Sequence, residues 1–144
     1  MTKTNGGFLI SQIKQIQGRV FDALLQDYGI EEFNGAQGRI LYILWQEDHL
    51  PIVELSRRTG LAKTTLTGML DRMESSGFLI RTYDKEDRRQ IKIVLTDKAK
   101  ELNEKYDKVS DIMGRIFYKD FSQEEITSFE KMLERIQKNL MEVN

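Results

Sequence analysis

Arg81-Thr-Tyr-Asp-Lys-Glu-Asp-Arg-Arg-Gln-Ile-Lys-Ile-Val-Leu-Thr96 reads as the greater part of a two-stranded ribbon. Phe78–Thr82 is one arm and Gln90–Leu95 the other. In the second arm Ile91, Ile93 and Leu95 alternate with Gln90, Lys92 and Val94, close to the period of two expected of a half-buried strand. The tip, Asp84 to Arg89, is charged throughout. Guanidinium groups on so narrow a projection have the reach to enter a DNA groove.

The residues before the ribbon predict a pair of helices. Val53-Glu-Leu-Ser-Arg-Arg-Thr-Gly60 reads as a short helix stopped by glycine, which tolerates the left-handed backbone of a helix end. Leu61-Ala62 completes a tight turn. Lys63 to Glu74 resumes helical spacing, with Leu66, Met69, Leu70 and Met73 on one face, and Gly77 ends it. Helix, turn, helix and ribbon together make a winged helix-turn-helix.

Thr65-Leu-Thr-Gly68, Leu70, Met73-Glu74, Gly77-Phe-Leu79, Asp87-Arg-Arg89 and Thr96 through Ala99 resemble the signature of the MarR family (multiple-antibiotic-resistance regulators). The blocks cover about a quarter of the chain and are spaced without insertion. One departure concerns the start of the second helix. Family members often carry Ser or Asp near position 62, where this chain has Ala62, which lacks a capping acceptor. Thr64 is then a candidate cap one turn later.

The 144 residues suffice for one ordinary domain with a buried core. Net charge is −1, but it is unevenly spread. Residues 57–92 hold nine Lys/Arg against five Asp/Glu, and the remainder holds thirteen against eighteen. A basic segment on an acidic body suits a protein that meets DNA through one face, although charge runs also occur as plain solvated surface. The absence of cysteine excludes disulfides and thiol-based sensing by this chain. A single histidine, His49, leaves little from which to build a zinc site, and no cofactor is expected. No apolar run is long enough to cross a membrane, and the first residues lack a secretion signal's apolar core, so the expected location is the cytoplasm. No nucleophile–histidine constellation or phosphate-cradling glycine loop points to an enzyme.

Outside the winged helix, long amphipathic helices are predicted. The first runs from about Phe8 to Tyr28, with Leu9, Ile13, Ile16, Val20 and Leu24 in one stripe. Asn34 and Gln37 have capping-box spacing at the start of a second, apolar helix containing Ile40 to Trp45. Pro51 suits the first turn of the third helix. A long helix from Thr96 to about Tyr118 carries Ala99, Leu102, Tyr106, Val109, Met113 and Ile116. Ser122 and Glu125 open the last helix as a capping box, and Phe121 and Ile126 are placed to staple across it. These stripes either pack on their own domain or meet a second copy of the chain. The expected fold is mainly α with a small β-wing. Residues 31–97 form the winged helix-turn-helix, and 1–30 and 98–144 form helices that pair two copies. The resemblance implies the same homodimer.

Two recognition helices related by a two-fold axis would enter successive major grooves. Lys63, Thr64, Thr65 and Thr67 are the expected contacts, with Lys63 suited to a phosphate. Gly68 either lets the helix approach closely or serves packing. Arg72 either reaches the backbone or pairs with Asp71 and Glu74. Arg57 and Arg58 are phosphate candidates, and so are Lys85 and Arg88 in the wing. By the resemblance, Arg89 enters the groove and Asp87 holds a neighbouring arginine in place. The resemblance also implies a small aromatic or anionic effector between the dimer helices and the winged helix. Phe21, Tyr42, Trp45 and His49 are candidates to line its pocket or are plain core. The expected function is a regulator that binds a palindromic operator in double-stranded DNA; the resemblance implies that it is a repressor and is modulated by that effector. The alternative is a winged-helix module that binds protein and not DNA.

Overall fold

Helix α1 spans Gly6–Asp27 and α2 spans Gly35–Gln46. The computed structural model describes residues 3–87 and 89–143. Asn34 caps α2 reciprocally with Gln37, as the spacing predicted: the Asn34 side-chain Oδ1 accepts from the Gln37 N–H at 2.8 Å. Strand β1, Leu50–Pro51, leads directly into α3, Ile52–Thr59, and α4 follows at Lys63–Ser75. Strands β2, Leu79–Tyr83, and β3, Ile91–Leu95, form the ribbon. The sheet has three strands in the order β1-β3-β2, all antiparallel, with Leu50 opposite Ile93 and Leu79 opposite Leu95.

Three sequence expectations are corrected. Pro51 is not in the first turn of α3; it is the N-cap, in extended backbone, and pairs with Lys92. The helix expected from Thr96 to Tyr118 is two, α5 at Asp97–Glu101 and α6 at Asn103–Phe117, parted at Leu102. Thr64 does not cap α4. The helix starts at Lys63 behind Ala62, whose side chain makes no capping hydrogen bond.

The chain divides into two compact units between Ser110 and Asp111, within α6. In the first unit Leu41, Leu44, Leu55, Leu66, Leu70, Met73, Phe78, Leu79 and Ile93 form the core, each almost wholly buried. Ala99, Leu102, Tyr106 and Val109 join it, so this part of the C-terminal stripe packs on its own chain. Tyr106 is ringed by Phe21, Phe33, Tyr42 and Trp45 at centroid distances of 5.1–6.2 Å. By contrast Phe8, Leu9, Ile10, Ile13 and Ile16 of α1 are 42–62% exposed.

The second unit contains the end of α6 and helix α7, Gln123–Met141, opened by the predicted Ser122–Glu125 capping box. The Tyr118 hydroxyl donates to Glu130 at 2.7 Å, and the rings of Phe117, Phe121 and Phe129 surround Tyr118. Met132, Ile136, Leu140 and Met141 remain 43–66% exposed.

Gly38 is where α2 meets the aromatic cluster. A Cβ there would stand 2.6 Å from Tyr106 Cε2 and 3.1 Å from Phe33. Alanine normally gains about 1 kcal/mol over glycine inside a helix. Overpacking costs about 1–3 kcal/mol. Gly38→Ala is therefore expected to lose about 1 kcal/mol net in a urea titration; a more stable variant would contradict the close approach.

Candidate nucleic-acid interface

The helix-turn-helix is locked by short polar side chains. Gly60 takes the left-handed conformation (φ 74°) that ends α3. The Ser56 hydroxyl donates to the Leu61 carbonyl at 2.8 Å, and the Thr59 hydroxyl accepts from the Leu61 N–H at 3.2 Å. The sequence suggested neither bond. Beyond the turn, Leu66, Met69, Leu70 and Met73 fix one face of α4 in the core, which turns Lys63, Thr64, Thr65 and Thr67 outward. Thr67 donates its hydroxyl proton to the Lys63 carbonyl at 2.8 Å, so toward a ligand it offers lone pairs and a methyl.

Arg81 fastens the wing to this helix. Its guanidinium reaches Asp71 at 2.7 Å and Glu74 at 2.8 Å, and its backbone N–H donates to Glu74 at 3.1 Å. Asp71 and Glu74 thus pair with Arg81 and not with Arg72. Arg72 stays exposed and has no ion pair among the described residues. Asp48 adds a tie from the other side. Its carboxylate accepts from the Leu95 N–H of β3 at 3.0 Å and from the His49 N–H at 2.8 Å.

At the tip, Asp84 accepts from the Glu86 N–H at 2.9 Å and lies 3.6 Å from Lys92. The Glu86 bond foremost, with Lys92 assisting, holds its carboxyl below the usual range. Asp87 accepts from both the Arg89 backbone N–H, at 3.1 Å, and Arg89 Nε, at 3.2 Å. The Arg89 side chain is nevertheless 93% exposed. Lys85 is exposed beside it, and Arg88 lies outside the described residues.

The two halves converge. A cleft of about 640 Å³ is lined by Lys63 and Thr67 of α4, Val53 of α3, and Asp87, Arg89 and Ile91 of the wing. Helix start and wing tip therefore flank one opening with a partly apolar floor. Thr64 and Thr65 are exposed on the same first turn, outside its lining. Arg57 and Arg58 follow on α3, both bound to Glu54. Hydrogen bonds from Arg57 and then Arg58 hold the Glu54 carboxyl down at about 2, so it is charged at any working pH.

The four effector candidates do not share one site. Phe21, Tyr42 and Trp45 surround Tyr106, and the Trp45 indole N–H donates to the Ala99 carbonyl at 3.0 Å. His49 sits on the α2–β1 turn, exposed and in left-handed backbone (φ 61°). A separate cleft of about 260 Å³ between α1 and α2 is lined by Phe21 with Lys14, Arg19 and Arg39, three cations that the sequence had not marked out, and by the Asp22 carboxylate. Among the described residues no group of His, Asp and Glu could hold a metal ion, and no helix is long and apolar enough to cross a membrane.

Comparison with known proteins matches this geometry. The model of the MarR family matches residues 33–91, from the residue before the α2 cap to the first residue of β3. The HTH-type transcriptional regulator TtmR of Methylorubrum extorquens is 37% identical over 97 residues, covering 67% of this chain and 48% of TtmR. The chain spans about half the length of the curated relatives it matches. Among solved structures, a MarR transcriptional regulator from Methanosarcina mazei Go1 superposes with a TM-score of 0.83 at 23% identity, over 99% of this chain and 100% of that one. Reduced AbfR bound to DNA superposes with a TM-score of 0.72 at 26% identity, over 92% and 88%. Motif, fold and relatives agree: the chain belongs to the MarR family.

Proposed function

We propose that this chain is a sequence-specific DNA-binding transcription regulator, acting as a homodimer and repressing by occupying a palindromic operator. The observation that carries the reading is the shared cleft, where the first turn of α4 and the Asp87–Arg89 pair face the same opening. An α-helix fits the major groove of B-DNA, and a wing alongside it reaches the next stretch of backbone or the minor groove. In this reading Lys63, Thr64, Thr65 and Thr67 meet bases or phosphates. Arg72, Arg57, Arg58, Lys85 and Arg88 serve the backbone, and Arg89 enters the groove with Asp87 orienting it. The likeness to DNA-bound AbfR supports DNA binding by this fold.

Residues 31–97 act as the DNA-binding part, and the stretches of 1–30 and 98–144 that are not packed into the chain's own core pair two copies. What supports the pairing is exposed apolar surface, from Phe8 to Ile16 on α1 and from Met132 to Leu140 on α7, which water alone would not leave open. A closed two-fold pair is the commonest way to cover such surface. It would set two recognition helices about 34–36 Å apart, one turn of the duplex. The place of action is the cytoplasm, where the duplex is. A small aromatic anion is the effector that Phe21 and the Lys14, Arg19 and Arg39 cleft would suit. To act, it must favour a helix spacing other than the DNA-bound one.

The test is a fluorescence titration of duplexes selected from genomic DNA, repeated over a salt series. Binding is expected to weaken steeply, with a log–log slope of about −0.9 for each phosphate neutralised. A flat salt response, or no binding to any duplex at low ionic strength, would instead favour a module that binds protein.

A further inference from the structure

Helix α3 is written as a basic helix, but its cations are already engaged. Arg57 donates to Glu54 through Nε at 3.2 Å and through its terminal nitrogen, and Arg58 Nε donates to the same carboxylate at 2.9 Å. The second arm of Arg58 reaches Glu47, beyond the end of α2, at 3.0 Å. Two arginines and two glutamates leave this face with no net charge. Arg57 lies one turn after Val53, which lines the cleft, so the two share a helix face. Its side chain is 61% exposed, within reach of a backbone that follows the cleft.

We propose that Glu54 is an affinity-setting positioning residue, an internal stand-in for phosphate that competes with DNA for Arg57. This rests on the DNA-binding reading above. A guanidinium free in solvent adds to attraction for every phosphate, whatever the sequence. Contact of Arg57 with any phosphate must compete with this ion pair, whatever the sequence. Affinity for random duplex and affinity for the operator are thereby lowered alike.

The experiment compares the full chain with Glu54→Gln, Arg57→Gln and the double variant. Each is titrated with a random-sequence duplex and with a duplex obtained by selection, across a salt series. Glu54→Gln is expected to bind the random duplex about 2- to 5-fold more tightly, the size of an exposed ion pair. Its salt slope should steepen by about one, and affinity for the selected duplex should rise in step with that for the random one. Adding Arg57→Gln should remove the gain, since the effect runs through that side chain. Glu54→Asp, which keeps the charge on a shorter arm, should shift random binding in the same direction by less, and it serves if the glutamine variant folds poorly. An unchanged slope in both Glu54 variants, or a gain that survives Arg57→Gln, overturns the proposal while leaving DNA binding intact. Failure of the unsubstituted chain to bind any duplex overturns the DNA-binding reading itself.

Discussion

Phe33→Ala is expected to cost about 3–5 kcal/mol, the range for removing a buried aromatic ring. Phe33 is 5% exposed and stands between elements distant in the chain. Its ring meets Phe78 edge-on at 6.1 Å and 90°, Trp45 at 6.4 Å and Tyr106 at 6.0 Å. Those three come from the start of the ribbon, α2 and α6, so no single segment can move in to fill the hole. Edge-to-face pairs add to simple burial, and alanine would forfeit three aromatic contacts at once. Against a typical total of about 5–15 kcal/mol the loss is a large fraction of stability. Near 150 residues each kcal/mol moves the melting point by about 2–4 °C, so a fall of about 10 °C is expected. Thermal or urea unfolding checks this. A loss under about 1 kcal/mol would mean that the cluster closes over the gap and that Phe33 is not its centre.

Phe33 also shows where sequence reading stops. The ribbon was legible because Ile91, Ile93 and Leu95 alternate, and the helix pair because Gly60 interrupts two apolar stripes. Both capping boxes were legible because their partners lie three residues apart. Each of these signals is local. Strand β1 has only two residues, too few for a period, and is defined by its pairing with β3 some forty residues later. The break at Leu102 was hidden because the apolar stripe continues through it on both sides.

The site divides in the same way. That Asp87 holds a neighbouring arginine was an expectation from the family resemblance, and in the folded chain Asp87 accepts from Arg89. The Arg81 bonds to Asp71 and Glu74, and the Asp48 bond to Leu95, join residues whose proximity only the folded chain creates. Glu54 is an instructive middle case. Its spacing of three and four from Arg57 and Arg58 is written in the sequence. A count of basic residues along the same stretch conceals that the two arginines share one carboxylate. The four effector candidates are aromatic or titratable residues near the predicted core. Three of them pack on Tyr106, and the cations of the α1–α2 cleft come from helical positions that read as ordinary solvated surface.

Arg89→Ala is expected to weaken binding to a selected duplex by about 1–3 kcal/mol, roughly 5- to 150-fold in Kd. The side chain is almost fully exposed, so the fold loses nothing when it goes, and the melting point should move little. What goes is a guanidinium already aimed. One Asp87 oxygen holds both the Arg89 backbone N–H and its Nε, which fixes the start of the side chain, while the terminal nitrogens have no partner among the described residues. Ordering a long side chain costs about 0.5–1.5 kcal/mol on binding, and this chelate removes part of that cost before DNA arrives. Asp87→Ala should therefore also weaken binding, by less than loss of the arginine, even though it deletes a negative charge from the interface. Arg89→Lys should restore little, because a lysine keeps the charge but not the planar fork. The salt series separates two roles. If Arg89 reads base edges, the variant relaxes sequence preference while its slope holds. If it neutralises a phosphate, all duplexes weaken alike and the slope falls by about one. Equal affinity of Arg89→Ala and the unsubstituted protein would remove Arg89 from the interface and leave α4 to account for recognition.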